Sequence, residues 1–123
     1  MNQRTIILVV DDSPTTLQLC QGLLSDEFDV RLAKSGAMAL TALSRMYPDV
    51  ILLDIEMPDM SGFEVMERIS RTPDLKGTPV IFLTSHATTD LVAKAAEYGA
   101  VDYVAKPFDT ENLRTKIHNA LNS

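Results

Sequence analysis

Five short apolar runs, each followed by a stretch with helical spacing, limit what this chain can fold into more than any other feature. They are Ile6-Ile7-Leu8-Val9-Val10, Phe28 to Ala33, Val50-Ile51-Leu52-Leu53, Val80-Ile81-Phe82-Leu83 and Val101 to Ala105. Runs of this length, rich in β-branched and aliphatic residues, read as strands. The first, third and fourth have no polar alternation, as expected of strands covered on both faces in a parallel sheet. Between the runs, Leu17, Cys20 and Leu24 recur at helical spacing, as do Leu40, Leu43 and Tyr47. Leu113, Ile117, Ala120 and Leu121 form a stripe in the last segment, the pattern of a helix with one face on a core. Start signals agree: Ser13 before Pro14 suits an N-cap with a first-turn proline, Ser61 with Glu64 suits a capping box, and Asp109 can cap the last helix. The alternation is β-α five times over. It predicts an α/β fold with a five-stranded parallel sheet, helices on both faces and right-handed crossovers.

The chain has 123 residues, 46% of them hydrophobic, without repeats, low-complexity stretches or linkers. That is enough for one core. The last helical segment runs nearly to Ser123, so residues 1–123 are expected to be a single domain. The formal net charge of −6 argues against direct nucleic-acid binding, which needs clustered Lys and Arg, but not against a cation site. The lone Cys20 excludes an internal disulfide, fits a reducing compartment and reads as a small core residue. No apolar run approaches the roughly 18 residues of a membrane span. Met1 to Arg4 lead straight into the first apolar run without a signal-peptide cleavage site. A soluble, cytoplasmic protein without membrane association is expected.

In an open α/β sheet, ligands bind beyond the carboxyl ends of the strands. Asp11 and Asp12 follow the first run, Asp54 the third, Thr84 and Ser85 the fourth, and Lys106 with Pro107 the fifth. The second is followed only by Lys34 and Ser35. Three converging carboxylates repel one another unless a cation intervenes. An oxygen-only set without His or Cys suits Mg²⁺, with Mn²⁺ as the alternative, rather than zinc. Lys106 adds a point charge for a phosphoryl oxygen, and Thr84 a hydroxyl. Each residue alone has a plainer reading. Asp11 and Asp12 could cap a helix, Asp54 could be a turn residue, and Lys106-Pro107 an ordinary turn. Those readings leave unexplained why all of them fall at the same end of successive strands.

These residues resemble the receiver domain of two-component response regulators, the chemotaxis-regulator type included, over essentially the whole chain. The matching motifs are the strand ending in Asp11-Asp12, the run Leu53-Asp54-Ile55-Glu56-Met57-Pro58-Asp59-Met60-Ser61-Gly62, the strand end Leu83-Thr84-Ser85, and Gly99 to Phe108 with Lys106-Pro107 inside it. The resemblance implies a flavodoxin-like, doubly wound sheet of order 2-1-3-4-5 flanked by five helices. It implies that Asp54 is the phosphoacceptor, served by a histidine kinase or phosphotransfer protein. Asp12, Asp54 and the backbone carbonyl of Glu56 would hold Mg²⁺ directly, and Asp11 through water. Lys106 would partner the phosphoryl group, with a cis bond to Pro107. Thr84 would be the switch hydroxyl and Tyr103 the switch aromatic, biasing a surface of the fourth helix, fifth strand and fifth helix. Alternatively, Tyr103 is simply a half-buried strand aromatic. Exposed residues such as Lys94, Tyr98 and Lys116 on or near that surface suit a downstream partner or a phosphorylation-dependent homodimer.

Family members vary at two positions that flank the path of the hydrolytic water, here Glu56 and His86, which are expected to tune the lifetime of the phosphorylated state. His86 could also be a plain exposed loop residue. One rival reading is a Mg²⁺-dependent phosphohydrolase with an aspartyl nucleophile, which often carries a second Asp where this chain has Glu56. Another is an interaction module that has lost phosphorylation, against which the full set Asp11, Asp12, Asp54, Thr84 and Lys106 counts. A nucleotide-binding domain lacks its glycine motifs here.

Overall fold

The computed structural model describes residues 4–122. Met1 to Gln3 and Ser123, which bear on the signal-peptide reading and on the end of the last helix, lie outside the described residues. Five strands alternate with five helices: β1 Ile6–Val10, α1 Pro14–Leu24, β2 Asp29–Ala33, α2 Gly36–Leu43, β3 Val50–Asp54, α3 Gly62–Ser70, β4 Val80–Thr84, α4 Thr89–Glu97, β5 Asp102–Ala105 and α5 Thr110–Leu121. A single 3-10 turn, Pro73–Leu75, joins α3 to β4. The sheet is parallel throughout, in the order β2-β1-β3-β4-β5.

Strand periodicity divides the core in two. Leu8, Val10, Ile51, Leu53 and Phe82 face α2, α3 and α4, where they meet Ala39, Leu43, Phe63, Val65, Ile69 and Ala95. Ile7, Val9, Leu52, Ile81, Leu83 and Val104 face α1 and α5, where they meet Leu17, Cys20, Leu24, Leu113 and Ile117. Every residue of β3 and β4 is buried, which is why those strands lack alternation. Cys20 is a core residue, its thiol pushed up to about 12, chiefly by burial, and therefore inert.

The predicted caps form: Ser13, Ser61 and Asp109 accept from Thr16, Glu64 and Glu111 backbone N–H groups. Ser35 and Thr88 cap α2 and α4 in the same way. Three sequence expectations are corrected. Phe28 stands before β2, because its N–H bonds back to the Leu24 carbonyl at 2.9 Å and closes the turn after α1. Val101 precedes β5 and is 54% exposed. Tyr47 is not on a helix: α2 ends at Leu43, and the residue before Pro48 is biased away from helical backbone. Tyr47 is 65% exposed, whereas Ala39 and Leu43 are buried and Leu40 packs partly buried against the same core.

Candidate functional site

Parallel pairing aligns the carboxyl ends of the strands. Val10 stands beside Leu53, Asp54 beside Leu83 and Thr84 beside Ala105. Asp54 is the last residue of β3 and Thr84 of β4, while Asp11 and Lys106 come immediately after β1 and β5. The lysine arrives through a cis Lys106-Pro107 peptide bond, as the sequence implied.

Carboxylate oxygens of Asp11, Asp12 and Asp54 lie within 4.8 Å of one another. Asp11 and Asp54 are buried and Asp12 is exposed, so the cluster opens to solvent on one side. Lys106 Nζ is 2.6 Å from Asp11 Oδ2 and 3.5 Å from Asp54 Oδ1. Asp11 Oδ1 also accepts from Ser13 N–H at 2.9 Å, and Asp54 Oδ1 from Glu56 N–H at 3.1 Å.

Burial first and the Asp11 charge second push the Asp54 carboxyl up to about 7, against the opposing pull of Lys106. Burial opposes the charge on Lys106, but the Asp11 and Asp54 carboxylates outweigh it and raise its pKa. One ammonium thus contacts two carboxylates of a cluster of three. Asp11 Oδ2 meets that ammonium and, among the described residues, has no hydrogen bond of ordinary angle. The donor set is all oxygen, crowded and under-neutralised. It fits a hard divalent cation.

The loop after β3 is held tightly. Gly62 N–H donates to the Ile55 carbonyl at 2.9 Å, and a Cβ at Gly62 would lie 2.5 Å from the Asp54 carbonyl oxygen. Asp59 ties the loop to α2 by accepting from Gly36 and Ala37 N–H groups.

The structure also joins two residues that the sequence singled out separately. His86 Nδ1 lies 3.0 Å from Glu56 Oε2, and Thr84 Oγ1 donates to Glu56 Oε1 at 3.5 Å. Thr84 Oγ1 accepts from His86 N–H at 3.0 Å. The Glu56 carboxylate therefore engages Thr84 and His86. His86 is exposed, as the plainer reading held, yet it has this partner.

Beside Lys106 lies a mostly apolar hollow of about 360 Å³, lined by Thr15, Thr16, Leu19, Ser85, Pro107 and Phe108. A depression of about 710 Å³ lies away from this edge, against Ile6, Asp29, Arg31 and Asp49. Tyr103 is half-buried against the α4 side of the core. Of the three residues expected to be exposed on a partner surface, Lys94 and Tyr98 are exposed, with Lys94 Nζ 4.4 Å over the Phe63 ring and the Tyr98 ring packed on Phe63 at 4.9 Å. Lys116 is only 21% exposed. No helix among the described residues is long and apolar enough to cross a membrane.

A 2-1-3-4-5 doubly wound sheet with a carboxylate cluster and one lysine at its switch point defines the flavodoxin-like class of α/β domain. Residues 7–118 match the response regulator receiver domain, and the chain belongs to that family, a signalling switch of two-component systems whose general function is phosphoryl acceptance. Solved structures agree. The chemotaxis protein CheY4 of Vibrio cholerae superposes with a TM-score of 0.93 at 30% identity, covering 97% of this chain and 100% of that one. Among curated proteins, a probable cyclic di-GMP phosphodiesterase of Vibrio cholerae is 40% identical over 94% of this chain. The histidine-protein kinase BarA of Escherichia coli is also 40% identical over 94% of this chain. The chain spans 26% and 12% of those two relatives, so the likeness is to their receiver portions.

Proposed function

We propose that residues 1–123 act as one receiver domain in which Asp54 takes a phosphoryl group from a histidine of a kinase or phosphotransfer protein. The observation that carries this is a buried Asp54 within 4.8 Å of two further carboxylates and 3.5 Å from Lys106. An Asp54 oxygen attacks phosphorus, the bond to the donor nitrogen breaks, and that nitrogen keeps the electron pair. This is nucleophilic catalysis by a carboxylate. Phosphoryl transfer needs positioning and charge compensation more than covalent chemistry. Lys106 supplies a fixed positive charge beside the attacking oxygen, and the apolar hollow next to it suits the donor's docking.

Asp12, Asp54 and the Glu56 carbonyl would hold Mg²⁺ (or Mn²⁺), with Asp11 acting through water because Ser13 and Lys106 already engage its oxygens. The ion, when bound, supplies charge neutralisation for the phosphoryl oxygens. Thr84 then turns its hydroxyl toward the new phosphoryl oxygens, which requires it to leave Glu56. Tyr103 follows, and the α4–β5–α5 face changes for an output domain, a partner or a homodimer. Glu56 and His86 tune the lifetime of the phosphorylated state as a pair, since each contacts Thr84 and the other. We place the protein in the cytoplasm. The hydrolase reading is disfavoured because the Glu56 carboxylate is engaged by His86 and Thr84.

Phosphotransfer from a panel of histidine kinases, read by intact mass, tests this. The expected result is one phosphoryl group per chain, dependent on Mg²⁺ and lost in Asp54→Asn. Turnover of a phosphomonoester without a phosphoprotein, or undiminished labelling of Asp54→Asn, overturns it.

A further inference from the structure

Among the described residues, strand β5 pairs with β4 alone, so its other edge carries no strand. Backbone groups on an open edge must find partners other than a strand. At Tyr103 both do. Its N–H donates to Asp102 Oδ1 at 2.8 Å, and its carbonyl accepts from Lys116 Nζ at 2.5 Å. Lys116 and Asp102 close the circuit with a 3.3 Å ion pair. The same ammonium lies 4.5 Å from the centroid of the Tyr103 ring.

A lysine ammonium has three donors and no acceptor. Here it meets a carbonyl, a carboxylate and an aromatic face, all contributed by Asp102 and Tyr103. Lys116 belongs to α5, whose apolar residues Leu113 and Ile117 pack on one sheet face, while Tyr103 packs against the core of the other. Its side chain therefore reaches round the sheet edge to the ring. Tyr103 also lines a cavity of about 60 Å³, together with Val92, Ala95, Ala96, Ala100 and Asp102. These small side chains leave the ring space to move.

We propose that Lys116 is a positioning residue: with Asp102 it clasps Tyr103 and sets the resting orientation of the ring, coupling α5 to β5. The proposal rests on the receiver reading only in taking movement of Tyr103 to be the signal. Any acidic partner group that captures Lys116 opens the clasp, and by reciprocity an opened clasp favours that partner.

Aromatic-ring NMR of the unphosphorylated, metal-free protein tests this, with Tyr103 assigned by its loss in Tyr103→Phe. Lys116→Met keeps an unbranched apolar stem and removes the charge; Lys116→Arg keeps the charge. Lys116→Met is expected to displace the Tyr103 ring signals, raising the minor ring orientation about two- to fivefold, the size of an exposed cation–π contact. Lys116→Arg should hold them near the parent positions. Parent-like ring signals in Lys116→Met, or equal displacement in both variants, overturn the clasp. No phosphodonor is involved in this measurement. An Asp54 that accepts no phosphoryl group would sink the receiver mechanism and leave this result standing, whereas unmoved ring signals would sink the clasp alone.

Discussion

Asp54 is buried against Asp11, and its carboxyl rises to about 7, through burial first and the Asp11 charge second. The native protein therefore holds this proton at pH values where the unfolded chain, near 3.8, has released it. The stability that the proton contributes is complete below the unfolded value and is lost as pH rises through the folded one. In the metal-free protein, Asp54→Asn is expected to be more stable than the parent near about pH 8, by on the order of 2 kcal/mol, with the difference closing toward about pH 4. Urea unfolding across that range measures it, and a difference that ignores pH refutes it. Asp11, Asp54, Thr84 and Lys106 were legible in the sequence because a parallel sheet sends every strand's carboxyl end to one edge. The Glu56–His86 and Lys116–Tyr103 contacts were not. Their partners are 30 and 13 residues apart on different elements, and such pairs depend on side-chain packing that periodicity does not encode.

At the scale of elements, the junction of β3 and α3 carries Asp54, and Gly62 sets how closely the two approach. A methyl there would lie 2.5 Å from the Asp54 carbonyl oxygen and 2.9 Å from Ile55 Cα, both backbone atoms that cannot turn aside. Gly62→Ala is expected to cost about 1–3 kcal/mol, as overpacking does, and to move the Glu56 carbonyl with the loop. Gly22, exposed within α1, has nothing within 4 Å of a Cβ. Gly22→Ala should instead stabilise by about 0.5–1 kcal/mol through helix propensity. Chemical denaturation of both variants measures the contrast, and a neutral Gly62→Ala would show that the loop yields. Helix existence and capping were readable here from Ser13, Ser61 and Asp109, because a cap is local chemistry. The face of α2 was misjudged at Tyr47, because Leu40, Leu43 and Tyr47 keep helical spacing even though Pro48 disfavours helical backbone at Tyr47.

For the whole molecule, burial of both sheet faces leaves the carboxylate cluster at the carboxyl edge of the sheet. The five-fold alternation predicted a covered parallel sheet, but periodicity does not order strands, so the 2-1-3-4-5 order was readable only from the family motifs. That order places β1 and β3 side by side, and with them Asp11 and Asp12 next to Asp54. One lysine leaves this edge under-neutralised within a domain of formal charge −6. A cation that binds the folded chain and not the unfolded one adds about 2.7 kcal/mol at a hundredfold excess over its dissociation constant. Thermal unfolding should therefore move up by several degrees in MgCl₂ and then saturate, while Asp12→Asn and Asp54→Asn lose most of that rise. NaCl at matched ionic strength separates the causes. General screening of the −6 charge raises the midpoint of all three proteins alike, whereas a specific site raises only the parent, and only with the divalent ion. Equal rises in NaCl and MgCl₂ would remove the ion from the proposed mechanism and leave Lys106 as the counter-charge beside Asp54 among the described residues.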